Sequence, residues 1–140
     1  MDTKDLANKV VNKMYDSDWF SQWLGIELVE VGEGKSVLRM TVRKEMLNGF
    51  GIAHGGITYS LADSALAFAS NAYGRRSVSI ETSVAHVDPV KEGDVLTVAT
   101  SEENLSNKIG RYKMSIFNQD DKIVALFRGT VYRTSKEWEV

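Results

Sequence analysis

The sequence of 140 residues has no cysteine, one proline and two histidines. The absence of cysteine excludes a disulfide frame and a thiolate metal site, and suits a reducing compartment. His54 and His86 show no ligand spacing to carboxylates, so no metal site is expected. No run approaches the ~18 apolar residues of a membrane span. The beginning, MDTKDLANKV, is polar and lacks the apolar core of a secretory signal, so the expected location is cytoplasmic. Charge is nearly balanced, with 17 Lys and Arg against 19 Asp and Glu and a formal net charge of -2. That balance offers no basic surface to nucleic acid or to a membrane.

What is present suits one core. Hydrophobic residues make up 43% and charged residues 26%, ordinary for a globular protein. No linker, repeat or low-complexity tract interrupts the chain, which predicts a single domain over 1–140 with a helical segment over about 1–25. Residues 4–15 read as an amphipathic helix with Leu6, Val10, Val11 and Met14 on one side. In DSDWFSQWLG, Asp16, Ser17 or Asp18 can cap a short helix that stops near Gly25. Its Trp19, Phe20 and Trp23 are expected to form an apolar lid over the core, with a share in a ligand pocket as the alternative.

From Ile26 the period changes to two. IELVEV and KSVLRMTVR flank a GEGK turn, and SVSIETSVAHV, DVLTVATSEEN, GRYKMSIFN and KIVALFRGTVYR follow a long helical segment. The links DPVKEG, LSNK and QDD are short, so neighbouring strands are antiparallel. The fold class is α+β, one antiparallel sheet of five or six strands on one long helix.

That helix lies within LNGFGIAHGGITYSLADSALAFASNAYG, residues 47–74. On a helical wheel Ile57, Leu61, Ala65, Phe68, Ala69 and Ala72 form the face that meets the sheet. The opposite face carries Ser60, Asp63, Ala67, Ser70 and Asn71. These residues are small, and Asp63 is the sole charge between positions 55 and 74. A water-exposed helix normally carries a charged stripe, so this face is expected to be covered, most simply by a second copy in a symmetric dimer. Gly55 and Gly56 leave unhindered N–H groups at the positive end of the helix dipole, which makes His54-Gly55-Gly56 either a candidate oxyanion hole or a plain turn. Asp63 lies eight positions after Gly55, about 12 Å along the axis. If both act on one substrate, they come from different chains. Otherwise Asp63 is a buried carboxylate satisfied by Ser, Thr or backbone donors.

NGFGIAHGGITYSLADSALAFASN, SVSIETSVAHVDPVKEGD and VALFRGTVYR resemble the hotdog-fold acyl-CoA thioesterases, and most of all their phenylacetyl-CoA branch. The resemblance spans about residues 22–134 and rests on the spacing Asn-x5-His-Gly-Gly-x6-Asp. It implies a sheet wrapped around the central helix and a homodimer that pairs into a homotetramer. It also implies roles. Gly55 donates its N–H to the thioester oxygen, Asn48 and His54 shape that end, and Asp63 of the partner chain is general base or nucleophile. Ser79 falls where related enzymes place a water-positioning hydroxyl, although it is also an ordinary strand residue. Coenzyme A would enter as part of the substrate, with no separate cofactor. Lys108, Arg111 and Arg128 are candidates for its phosphates or are solvated strand-edge charges, and His86 reads as structural or interfacial. A branch that cleaves naphthoate-type thioesters carries Glu where this chain has Asp63. That lowers the naphthoate option; the resemblance favours phenylacetyl or ring-hydroxylated aromatic acyl groups, with medium-chain groups open. The rival functions on this fold are an acyl-thioester hydratase or dehydratase and a non-catalytic acyl-CoA binding module.

Overall fold

Helix α3 (Gly55–Asn71) touches all six strands of the sheet, and its residues explain why. Leu61, Ala65, Phe68, Ala69 and Ala72 are fully or almost fully buried, as the wheel predicts, while Ile57 is half-buried. Each large apolar side chain removed from water here contributes about 1.5–3 kcal/mol. The computed structural model describes residues 1–140. Ahead of α3 come α1 (Thr3–Asp16), α2 (Trp19–Leu24), β1 (Glu27–Gly32), β2 (Lys35–Thr41) and a single 3₁₀ turn, Lys44–Met46. After it come β3 (Arg75–His86), β4 (Val95–Leu105), β5 (Ile109–Phe117) and β6 (Ile123–Glu137).

Every pairing is antiparallel, and the order across the sheet is β1-β2-β4-β5-β6-β3. The two edges are β1 and β3. Period-two patterning holds in the interior strands: Leu96, Val98 and Thr100 of β4 and Tyr112, Met114 and Ile116 of β5 point to α3 and are buried. Edge strand β3 is different. Val78 and Ile80 are 55% and 59% exposed, and the strand's outer N–H and C=O row has no neighbour.

The second face of α3 is covered only in part, and largely by its own chain. Asn71 holds Ser77 by two hydrogen bonds and accepts one from Trp138 Nε1 at 2.8 Å. Ser60, Asp63 and Ala67 remain half-buried. Helix α2 does not form the apolar lid expected of it. Capped by Asp18 and stopped by Gly25 at φ 75°, it turns Ser21 and Leu24 inward. Trp19, Phe20 and Trp23 therefore face out, 73%, 54% and 52% exposed. With Ser21 and Leu24 on the inward side, the three aromatics fall on the other faces of this six-residue helix.

Gly129 of β6 marks the closest approach of sheet to helix, because a Cβ there would lie 2.5 Å from Leu66 Cδ2. Leu66 is 1% exposed and has nowhere to swing. Gly129→Ala is expected to cost about 1–3 kcal/mol by overpacking, read as a lower urea midpoint. Combined with Leu66→Ala, it should cost less than the sum of the two single changes.

Candidate active site

The chain enters α3 through His54, the N-cap, whose Nδ1 accepts the Gly56 N–H at 3.0 Å. That bond makes His54 a cap and fixes the ring proton on Nε2. Gly55 is the first helical residue, and its N–H has no acceptor within the protein. A donor of this kind, at the positive end of a helix, points to an oxygen that becomes anionic. Gly55 has ordinary helical φ, so its glycine is needed for space. A Cβ would lie 3.0 Å from His86 Nε2.

Around this donor lies a cleft of about 400 Å³, lined among others by Asn48, Phe50, Gly55, Thr58, His86 and Val124. Asn48 Oδ1 accepts from Phe50 N at 2.9 Å and Ile52 N at 3.3 Å, which folds the loop and leaves its amide NH₂ as a spare donor. Thr58 spends its proton on Gly55 O at 3.1 Å, so its oxygen is the acceptor for His86 Nδ1 at 3.4 Å. Thr58 and His86 line this cleft, and motif spacing missed both. The signal was in β3: Thr82, Val84 and His86 alternate, each paired with a helix-facing residue of β6.

Asp63 is not in this cleft. As the helical rise requires, one chain keeps Asp63 and Gly55 apart. Asp63 receives no hydrogen bond or ion pair from its own chain, so the alternative of a carboxylate satisfied by local donors does not hold within the protomer. Burial, and next the nearby Asp18 charge, hold its carboxyl above the ordinary 3.8. Ser79 is exposed on β3. It sits directly opposite Val131, which turns it to the helix side of the sheet.

Comparison with known proteins agrees with this geometry. The family model described as Thioesterase superfamily matches residues 50–125, more than half of the chain. The chain belongs to the thioesterase superfamily. The acyl-coenzyme A thioesterase PaaI of Escherichia coli K12 is 39% identical over 120 residues, covering 86% of this chain and 86% of that one. The solved structure of the E. coli PaaI protein from the phenylacetic acid degradation operon superposes with a TM-score of 0.94 at 35% identity, covering 97% of this chain and 99% of that one. A hypothetical thioesterase of Streptococcus pneumoniae TIGR4, solved with coenzyme A, shares the fold with a TM-score of 0.83 at 23% identity, over 89% and 99% of the two chains. One central helix on a six-stranded antiparallel sheet is the hotdog arrangement that the resemblance implied.

The three candidate phosphate-binding cations of this thioesterase do not form one cluster. Lys108 is exposed in the turn between β4 and β5, beside Arg75 and Arg133. Arg111 and Arg128 lie on the outer sheet face, where Arg128 is 3.8 Å from Glu103 and pairs in register with Lys113. At the site itself, the raised Asp63 carboxyl has a consequence for stability. A carboxyl held above its unfolded value binds more protons folded than unfolded between the two values. Its ionisation therefore costs stability as pH rises through that window. Asp63→Asn is expected to melt at a higher temperature than wild type at pH 7, with the gap closing as pH falls below about 4. Paired thermal scans across pH check this.

Proposed function

We infer that this thioesterase hydrolyses acyl-CoA thioesters, with an aromatic, phenylacetyl-type acyl group as its preferred class. The observation that carries the reading is the unspent Gly55 N–H at the start of α3, facing a cleft with the Asn48 amide and His86 around it. Similarity to E. coli PaaI supports the acyl-CoA class, and the coenzyme A held by the pneumococcal neighbour supports the carrier. The His54 ring is tied to Gly56 by its Nδ1, which suits a capping residue better than the mobile base of a hydratase.

The working unit in this reading is a homodimer, and two dimers make a tetramer. Strand β3 has an open hydrogen-bonding edge with exposed Val78 and Ile80, which suits antiparallel addition of a second β3. Two copies run head to tail would set Asp63 of one chain toward Gly55 of the other. The thioester carbonyl would accept the Gly55 N–H. Asp63 takes a proton from water, and the water oxygen attacks the carbonyl carbon. The tetrahedral oxyanion forms against Gly55 N–H, then collapses and breaks the C–S bond. The thiolate of coenzyme A leaves and takes up the proton. Direct attack by the Asp63 carboxylate is the variant route, and Ser79 would hold the water.

Thiol release from a panel of aryl- and alkyl-CoA thioesters tests the reading. Wild type should turn over the aryl substrates fastest, and Asp63→Asn should lose at least two to three orders of magnitude. A folded Asp63→Asn protein with full activity would remove Asp63 from the chemistry.

Gly55→Pro tests the oxyanion donor when read against Gly55→Ala, which brings the same Cβ to 3.0 Å from His86 Nε2 but keeps the N–H. Proline is well tolerated at the first helical position and simply lacks the N–H, and His54 already has the extended backbone, φ -60° and ψ 139°, that precedes proline. A loss of kcat about 10²–10³-fold beyond that of Gly55→Ala is expected. Mixing Gly55→Pro and Asp63→Asn chains through unfolding and refolding should restore about a quarter of wild-type activity, since half the random dimers rebuild one complete site. No recovery in properly mixed dimers would place both groups of each site in one chain.

A further inference from the structure

Helix α2 has only six residues, and a helix that short does not hold itself together. Its anchorage therefore matters. Asp18 uses both carboxylate oxygens: Oδ1 accepts from Ser21 N at 3.0 Å, and Oδ2 accepts from Ser21 Oγ at 2.6 Å. Ser21 has then given away its single proton, so the hydroxyl that closes the next contact, 2.8 Å away, must be the donor. That hydroxyl is Ser64 Oγ. Ser64 follows Asp63 in α3, and Ser21 and Ser64 are both buried. The chain Ser64–Ser21–Asp18 thus runs from the turn carrying Asp63 to a second carboxylate.

We propose that Asp18 is a positioning residue for Asp63, fixed through Ser21 and Ser64 so that its negative charge strengthens Asp63 as a base. The proposal rests on the reading of Asp63 as the base of the hydrolysis. A cap alone would not need this arrangement, since Asn, Ser or Thr caps a helix as well as Asp does. What Asp adds is charge, held by two hydrogen bonds beside a half-buried carboxylate that has no donor of its own.

The other ionisable groups around the pair do not cancel that charge. Tyr15 of α1 donates its hydroxyl to Ile26 O at 2.6 Å and is held neutral by burial, Asp18 and Glu27. Glu27 at the start of β1 is exposed and 3.9 Å from Arg39. Arg43, the cation nearest α2, is engaged at the far end of that helix by Glu45 at 2.7 Å and by the carbonyls of Trp23 and Leu24. On α3 itself the other ionisable group is Tyr59, bonded to Thr82. Like charge disfavours ionisation of Asp63, and once ionised above its titration midpoint the carboxylate is the stronger proton acceptor.

The test is Asp18→Asn in the full-length protein, which keeps the shape and the cap and removes the charge. The Asp63 side-chain carboxyl is titrated by ¹³C NMR, with its signal assigned by its absence in Asp63→Asn. Its midpoint is expected to move to lower pH in Asp18→Asn. The acid limb of kcat/KM should move with it, and the plateau should fall several-fold. Asp18→Ser also caps a helix and should give the same downward movement. An unchanged Asp63 midpoint in either folded variant overturns the proposal and leaves Asp18 as a cap. The NMR titration does not depend on turnover. Absence of thiol release by wild type would therefore sink the hydrolase reading separately from the Asp18–Asp63 coupling.

Discussion

Helix α3 packs against all six strands, and a helix held that way has no broad free face for the charged stripe of a surface helix. This packing sets the rest of the molecule. It requires small residues where the sheet comes close, which is why Gly129 stands under Leu66. It also fixes the helix rigidly, so that its first N–H groups point to one place. Their two fates differ by one residue. Gly56 N–H is taken by the His54 ring, whereas Gly55 N–H is left over. A preorganised donor costs no reorganisation when charge develops on a bound oxygen, and that is the property an acyl-transfer site needs.

Much of this was legible in the chain itself. The lone Asp63 in an uncharged helix, the glycines after His54 and the change from period 3.6 to period two all follow from side-chain patterning, which is local information. So does the order of helices and strands. Residues brought together across the fold were less legible. His86 reads as a strand residue, and only the β3–β6 register carries it to Gly55. The α2 aromatics read as a lid over the core because hydrophobicity says nothing about direction. The cap at Asp18 and the left-handed Gly25 decided which side faced in. Asp18 itself looks like any helix cap until the Ser21–Ser64 contact shows where its charge lies.

Three features of the protomer are incomplete. Asp63 is half-buried without a donor. The outer edge of β3 has no neighbour, although Val78 and Ile80 beside it are apolar. Ser79 turns toward the helix side of the sheet yet is uncovered. The first two carry costs if the chain stands alone: a desolvated carboxylate, unpaired backbone groups and exposed apolar surface. One antiparallel copy on β3 would relieve the last two costs by burial and pairing, and on the proposed reading would give the first a purpose. The helical rise keeps Asp63 and Gly55 of one chain about 12 Å apart, so a single protomer cannot place a base and an oxyanion donor on the same carbonyl. The geometry that separates them within a chain is the same geometry that lets a twofold axis bring them together. Site and assembly would then be one property of α3, not two features selected independently.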